Sequence, residues 1–293
     1  MKYIKIFIPA LFSMLLACNN QEDVADAYGN FEAIEVMISA EAQGRILAFE
    51  AVEGEVLNKG QVIVVIDTLQ LQLKKAHLES VILSLNPKIS TLDAQVEASL
   101  VQMNNLIREE KRINKLVEGG AATPKQKDDI EGQIALLKAQ IVATESQKAS
   151  VYAERRSLEI QIQQVEDQIG KSTVRNPGAG TMLTKYKEMG EIAAPGQPLY
   201  KVANLKKLIL RAYVSGDQLS EITLGKTVTV RFDVPGGMDE VTGTVSWVSD
   251  RAEFTPKIIQ TKEERVNLVY ALKIVVPNDG RLKIGMPGEV MFK

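Results

Sequence analysis

The stretch KLVEGGAATPKQ (Lys115 to Gln126) separates two long runs of helical composition. Both runs are rich in Leu, Ile, Gln, Ala, Glu and Lys, whereas the stretch itself holds two glycines, two alanines, a threonine and a proline. Gly119 and Gly120 can reverse the chain, and Pro124 suits the first position of a helix that Thr123 caps. Because the connection is short, the two helices are predicted to be antiparallel.

Residues 68–171 are therefore predicted to form a helical hairpin with its tip near residues 118–124. At ~1.5 Å per residue, an arm of 48 residues extends roughly 70 Å. Pro87 is expected to kink or break the first arm, because it lacks an N–H and disfavours helix at Asn86. In both arms a seam recurs at alternating spacings of three and four, the heptad pattern of a coiled coil. The seam comprises Ile89, Leu92, Val96, Ser99, Met103, Leu106, Glu110, Ile113 and Val117, then Ile130, Ile134, Leu137, Ile141, Thr144, Lys148, Val151, Arg155, Leu158, Ile162, Val165 and Ile169.

The β-patterned segments on either side of the hairpin, residues 31–67 and 172–205, are similar to each other. Each has a glycine before an extended run (AQGRILAF and GAGTMLTKY), then a Gly-Glu pair, then Gly-Gln before an apolar strand (KGQVIVVID and PGQPLYKVA). This repeat resembles the two halves of a biotinyl/lipoyl carrier fold. Neither half can bury much core alone, so the two must pair, and the hairpin must leave and return at one place. The predicted turn glycines of this lipoyl-like unit are Gly44, Gly54, Gly60, Gly178, Gly180, Gly190 and Gly196.

Composition argues against catalysis, bound cofactors and nucleic acid. A single cysteine and a single histidine cannot build a structural zinc site, and His77 lies in a polar helical run. There is no phosphate-binding or dinucleotide-binding glycine motif, and the net charge of −2 does not favour nucleic acid. A lipoyl-type carrier would present a lysine between the two halves, but Asp67 and Thr68 stand there instead.

The N-terminal stretch MKYIKIFIPALFSMLLACNN has the pattern of a signal peptide. Lys2 and Lys5 precede an apolar run that is too short to span a bilayer, which takes ~20 residues. LLAC resembles the bacterial lipoprotein box, which predicts a signal peptide over residues 1–17, lipidation of Cys18 and a flexible tether over residues 18–30. The alternative is an ordinary signal peptide with a chance cysteine. Either form predicts a protein of the bacterial envelope outside the cytoplasm.

Residues 206–293 are predicted to form a β-barrel of five or six strands. Short alternating runs are separated by glycine-containing turns, as in GKTVTVRFDV and NLVYALKIVV. A membrane-proximal part is expected to be minimal and to draw partly on residues 22–36. The predicted fold class is thus α+β, elongated and multidomain, with a coiled-coil hairpin inserted in a lipoyl-like β-unit and followed by a barrel.

This order of segments resembles the HlyD-like membrane fusion proteins, or periplasmic adaptors. Ala252 to Val290, beginning AEFTPKIIQTKEERVNLVY, is similar to the adaptors that serve ABC-type exporters. The resemblance implies a non-catalytic adaptor between an inner-membrane permease and a TolC-like outer-membrane channel. It further implies a ring, as a hexamer, in the periplasm, with the lipid anchor in the inner membrane. Alternatives are an adaptor for an RND-type transporter, a lipoyl-type carrier component and a purely structural envelope coiled coil.

Adaptors that dock a TolC-like channel carry an Arg-x3-Leu-x6-Ser pattern at the hairpin tip. Arg112 and Leu116 match it, whereas Thr123 stands at the serine position. Arginine supplies several hydrogen-bond donors to an interface, and leucine supplies apolar contact. Thr123 can cap the second helix, dock through its hydroxyl, or do both.

Overall fold

The computed structural model describes residues 25–254 and 268–292. These residues form two compact units. One runs from Met37 to Val202, and the other combines the described residues up to Val36 with those from Ala203 onward. Within the described ranges, no helix is both long enough and apolar enough to cross a membrane. In chain order the elements are β1 Ala27–Glu32, β2 Glu35–Ser39, β3 Gly44–Phe49, β4 Val56–Leu57, β5 Val62–Ile66, α1 Leu69–Glu118, α2 Pro124–Lys171, β6 Thr173–Arg175, β7 Gly180–Lys185, β8 Ile192–Ala193, β9 Pro198–Ala203, β10 Lys207–Ser215, the 3-10 helix η1 Gln218–Glu221, β11 Thr227–Val234, β12 Gly237–Val248, β13 Glu253–Phe254, β14 Leu268–Pro277 and β15 Pro287–Met291.

The two long helices pack along the predicted heptad seam. Every seam position named from the sequence is buried or half-buried, and most of the intervening positions are exposed. The densest part is a cluster in which Leu85, Ile89 and Leu92 of α1 pack with Val151 and Leu158 of α2. The seam prediction is therefore confirmed, and the apolar seam holds two otherwise polar helices together.

Of the kink or break predicted at Pro87, the break is wrong, because α1 continues through this residue. Leu85 and Ile89, on either side of the proline, are both buried against α2. The carbonyl of Pro87 also accepts a hydrogen bond from Thr91 Oγ1 at 2.9 Å. A proline inside a helix costs ~3 kcal/mol, and the apolar packing around it offsets that cost.

Two ion pairs link the helices and are consistent with the antiparallel register. Lys75 Nζ lies 2.6 Å from Glu166 Oε1, and Lys148 Nζ lies 3.0 Å from Asp93 Oδ1. The hydrogen bond and the charge of each carboxylate raise the pKa of its lysine partner. Lys148 is a seam position. Since lysine there is costly for a coiled coil, Lys148 specifies register more than it adds stability.

The β-unit around the hairpin consists of two four-stranded sheets with the same internal order. One sheet runs β2-β9-β7-β4 and the other β6-β5-β3-β8. The strands correspond in the pairs β2 with β6, β3 with β7, β4 with β8 and β5 with β9. Exchanging the members of every pair converts the strand order of one sheet into that of the other. The internal repeat seen in the sequence is thus a repeat in topology, and each sheet is completed by strands from both halves.

The hydrogen bonds of this unit repeat at an offset of 136 residues, as from Gly54 to Gly190. Gly54 N donates to Met182 O at 2.8 Å, and Gly190 N donates to Ile46 O at 2.8 Å. Both glycines have left-handed backbone, with φ of 87° and 92°, which residues with a side chain adopt only with strain. Gly60 and Gly196 are a second such pair, with φ of 79° and 83°.

Gly44 and Gly180 do not lie in turns, which corrects the prediction for these two residues. Each is the first residue of a strand, β3 and β7 respectively. A Cβ on Gly44 would lie 2.7 Å from Cγ2 of Ile66, so close packing rather than a turn requires glycine there. Gly178 lies in the bend between β6 and β7, where its carbonyl accepts a hydrogen bond from the Asn176 side chain.

The hairpin leaves and re-enters the β-unit at one place, as predicted. Ile66 N donates to Ser172 O at 2.8 Å, so the ends of β5 and α2 are directly bonded. Ser172 is fully buried, and its hydroxyl donates to Gln168 O in the last turn of α2. Asp67 Oδ1 accepts from Leu69 N at 2.9 Å at the start of α1. These bonds tie both helices to the sheets.

The second unit contains a closed six-stranded barrel among the described residues. The strand order is β10-β1-β15-β11-β12-β14, and β14 pairs back to β10, while β13 extends β14 on one side. The prediction of five or six strands is confirmed. Alternate residues point inward, and the fully or almost fully buried core includes Phe31, Leu208, Leu210, Val230, Phe232, Leu272, Ile274 and Val290.

The prediction of a flexible tether up to residue 30 is wrong for its last part. Ala27–Glu32 is a strand of the barrel, paired with both β10 and β15. Phe31 is completely buried in the barrel core, and this burial together with two ladders of hydrogen bonds orders the segment. The first strand of the β-unit, β2, begins at Glu35 rather than at residue 31. A minimal membrane-proximal part that draws partly on residues 22–36 stays a prediction.

Several predictions concern residues outside the described ranges. The signal peptide over residues 1–17, the lipidation site Cys18 and the tether up to residue 24 all lie there. So do residues 255–267, which are one third of the exporter-like stretch from Ala252 to Val290.

Candidate functional site: the hairpin tip

The end of α1 is closed by a Schellman motif. Gly120 has a φ of 71°, and its N–H donates to Val117 O at 3.0 Å. Ala121 N donates to Leu116 O at 2.7 Å, which completes the motif. Lys115 in the last turn places a positive charge near the free carbonyls of the helix end. Gly119 is the C-cap with ordinary φ of −82°, so Gly120 is the glycine that the reversal requires.

The start of α2 is closed by a capping box. Thr123 N donates to Gln126 Oε1 at 2.9 Å, and Gln126 N lies 3.4 Å from Thr123 Oγ1. Pro124 occupies the first helical position, where its missing N–H costs nothing. The five residues between the helices are thus held by hydrogen bonds at both ends, and the tip has a defined conformation.

Arg112 and Leu116 lie off the seam on one exposed face of α1. They are four residues apart, which on a helix places them one turn apart along the same side. Leu116 is 39% exposed, and the Arg112 side chain is 70% exposed. Arg112 pairs with Glu109 one turn earlier, at 2.5 Å, so its guanidinium is steadied while still accessible.

The structure places the three predicted tip residues in two groups. Arg112 and Leu116 share a face, while Thr123 stands across the reversal at the start of α2. Among the described residues, the hydrogen bonds of the Thr123 side chain go to Gln126. Capping by Thr123 is therefore observed, and a docking role for its hydroxyl stays a prediction.

Two contributors to the tip were not identified from the sequence. Gln126 was identifiable, because Thr-Pro-Lys-Gln has the Thr-x-x-Gln spacing of a capping box. Glu109 was harder to identify, since carboxylates are frequent throughout this helix.

Asn114 is a further feature of the tip: its Oδ1 is buried and finds no donor among the described residues. An unpaired buried acceptor costs ~1–3 kcal/mol, so this end of the hairpin is not optimised for stability.

Comparison with known proteins identifies relatives along most of the chain. No family model matches it. A UPF0194 membrane protein of Citrobacter koseri is 25% identical over 311 residues, an alignment that covers 94% of this chain and 90% of the relative.

Two solved structures share the fold. MacA from Actinobacillus actinomycetemcomitans superposes with a TM-score of 0.59 at 18% identity, covering 91% of this chain and 78% of MacA. The membrane fusion protein Spr0693 from Streptococcus pneumoniae R6 gives a TM-score of 0.56 at 17% identity, covering 91% of this chain and 97% of Spr0693. At these identities the likeness is one of fold. The chain therefore has the membrane fusion protein fold, and the resemblance of its segment order to membrane fusion proteins is confirmed.

Proposed function

We propose that this protein is a periplasmic adaptor that joins an inner-membrane transporter to an outer-membrane channel. The observation that carries the proposal is the hairpin tip. There a doubly capped reversal presents Arg112 and Leu116 to solvent at the end of helices of 50 and 48 residues. These side chains offer hydrogen-bond donors and an apolar contact, which is the chemistry of docking.

The length and attachment of the hairpin support a role in reaching a partner. At ~1.5 Å per residue, the helices extend about 72–75 Å from the β-unit. At the base, Ile66 at the end of β5 donates to Ser172 at the end of α2, and the seam is continuous between base and tip. A rigid arm loses little conformational entropy when its end binds, which favours affinity.

We assign the remaining parts of an adaptor from the sequence. Cys18 would carry the lipid that anchors the mature chain to the inner membrane, and residues 1–17 would be removed. The resemblance of Ala252 to Val290 to adaptors of ABC-type exporters favours an ABC-type permease over an RND-type transporter. The protein would act as a ring, as a hexamer, without catalysis of its own.

A lipoyl-type carrier is the weaker reading of the same β-unit. The position between its two halves is occupied by Asp67 and Thr68, and Asp67 Oδ1 caps the first turn of α1. A lysine-borne cofactor has no equivalent attachment point there. The intact mass of the mature chain separates the two: a lipoyl or biotinyl group on an internal lysine would favour the carrier.

Site-specific photo-crosslinking in the native organism tests the adaptor role. A photoreactive residue at Leu116 should capture an outer-membrane channel protein. The matched control is Val101 on the same helix, which is 52% exposed but lies about 26 Å from the end of α1. Capture at Leu116 and not at Val101 is expected. Equal capture at both positions, or no envelope protein at Leu116, would contradict docking through the tip.

The transporter side has its own test. A photoreactive residue on the barrel surface at Trp247, which is 39% exposed, should capture an inner-membrane permease. Deleting the gene should abolish export of the substrate of that permease. Normal export after deletion would exclude the adaptor role altogether.

A further inference from the structure

The barrel carries a cleft where one of its strand ladders ends early. β15 pairs with β11 only from Thr229 to Arg231, the last pair being Arg231 with Glu289. Beyond that pair, Asp233 on β11 and Pro287 on β15 both line a cleft of about 550 Å³ between the diverging strands. Proline has no N–H to donate, so β15 begins with a residue that cannot extend the ladder. Pockets of this volume are typical of small-molecule sites.

One wall of the cleft is a row of side chains that runs across four strands. Tyr213 is opposite Tyr28, Tyr28 is opposite Glu289, and Glu289 is opposite Arg231. Directly opposite residues on one face of a sheet have Cβ atoms about 5 Å apart, so their side chains are neighbours. Tyr28 is 54% exposed. The guanidinium of Arg211, which pairs with Glu253, already lies over the ring of Tyr213, 5.8 Å from its centroid. The row therefore sets the ring of Tyr28 beside the carboxylate of Glu289 at a surface that solvent reaches.

The charge of the cleft is negative. Its lining includes the carboxylates of Asp233 and Glu289 and the guanidinium of Arg231. Arg231 Nε donates to Glu240 Oε1 at 2.8 Å, and this ion pair compensates its charge. In the described part of the chain, neither Asp233 nor Glu289 has a cationic side-chain partner.

Apolar surface completes the cleft. Met238, on the strand that follows β11, is 46% exposed and faces it, and its thioether adapts to flat aromatic bodies. Tyrosine faces attract cations, more strongly where water is excluded. The carboxylates of Glu289 and Asp233 beside the ring of Tyr28 repel anions.

We propose that this cleft binds a small organic cation with an aromatic or extended apolar body. The cationic centre lies between the ring of Tyr28 and the carboxylates of Glu289 and Asp233. The apolar body packs against Met238 and the start of β15. This site is separate from the hairpin tip, and its existence does not depend on which channel or transporter the protein serves.

Two dyes that share a xanthene skeleton but differ in charge test the proposal. Rhodamine 6G is a cation and fluorescein is an anion at neutral pH, and both report binding by fluorescence anisotropy. The purified full chain should bind rhodamine 6G at least about tenfold more tightly than fluorescein, because the difference comes from cation–π and carboxylate contacts. Equal binding of the two dyes, or no rhodamine binding at about 1 mM protein, overturns the proposal.

Single substitutions then locate the site. Glu289→Gln and Asp233→Asn should each weaken rhodamine 6G binding by about two- to fivefold, the range expected for one partly exposed charge. Glu221→Gln makes the same charge change at an exposed residue of η1 outside the cleft and should leave binding unchanged. If Glu221→Gln weakens binding as much as Glu289→Gln, binding reflects net charge alone and the site is refuted. Should a variant fail to melt cooperatively, the two-dye comparison on the unaltered chain still decides.

Discussion

Removing the hydroxyl of Thr123 should loosen the start of α2 by a measurable amount. Thr123→Ala deletes the contact in which Gln126 N lies 3.4 Å from Oγ1, but leaves the 2.9 Å bond from Thr123 N to Gln126 Oε1. Loss of a threonine N-cap costs ~0.5–2 kcal/mol. Because the deleted contact is long and the other half of the box survives, the lower part of that range applies here. We expect about 0.5–1 kcal/mol.

Amide hydrogen exchange measures this change directly. Local opening that is easier by about 0.5–1 kcal/mol speeds exchange of the first-turn amides of α2 about two- to fivefold. Thr144→Ala is the matched control, because it makes the same chemical change in the middle of α2, where the hydroxyl bonds to Gln140 O within the helix. The control should leave exchange at Gln126 unaltered. Unchanged exchange in Thr123→Ala itself would refute the capping assignment.

A second substitution separates capping from docking. Thr123→Asp keeps an acceptor for Gln126 N and adds a negative charge at a helix N-terminus, where it is favourable. Exchange in this variant should match or fall below that of the unaltered chain. If Thr123 only caps, Thr123→Asp exports substrate normally. If the hydroxyl also docks on the channel, export falls in Thr123→Asp although the cap is intact.

Three further predictions follow from single residues. Leu116→Ser should leave thermal melting nearly unchanged, because this side chain is 39% exposed, yet lower substrate export by removing an apolar contact at the tip; normal export would count against docking there. Gly29→Ala should destabilise the barrel by about 3 kcal/mol or more in urea unfolding, because its Cβ would lie 2.0 Å from the carbonyl oxygen of Arg211. Gly216→Ala, whose nearest neighbour would be 3.7 Å away, should be nearly neutral, and equal losses in both would refute the clash. Burial raises the pKa of Tyr200 to about 12, so the folded chain keeps a proton that the unfolded chain releases, and stability should fall as pH rises from about 10 to 12. Tyr200→Phe should flatten that decline, and an identical decline in both proteins would show that this phenol does not cause it.

Much of the hairpin was predictable because its information is local and periodic. The glycines and proline between Lys115 and Gln126 mark the reversal, and alternating spacings of three and four mark the seam. The Thr-x-x-Gln spacing at Thr123 is enough to predict the capping box. Arg112 and Leu116 were predictable as exposed, since they lie off the seam.

The β-unit was predictable in outline for a different reason. Its halves repeat, and a repeat whose parts cannot bury a core alone must pair with itself. The pairing in turn required the hairpin to begin and end at one point, where Ile66 bonds to Ser172. The role of Gly44 was not predictable, because the constraint is a side chain of Ile66 that approaches through space.

By itself, then, the sequence determined the helices, their antiparallel order, the chain reversal and the internal repeat, all of which depend on neighbouring or regularly spaced residues. Only the tertiary structure decided the rest. Ala27–Glu32 looks like the end of a polar tether until β10 and β15, from the far end of the chain, supply its ladders and bury Phe31. Pro87 looks like a helix break until the packing of α2 against both sides of it outweighs the lost hydrogen bond. The cleft beside Tyr28 exists because a ladder between two distant strands stops at Glu289, and no periodicity within either strand encodes where their partnership ends.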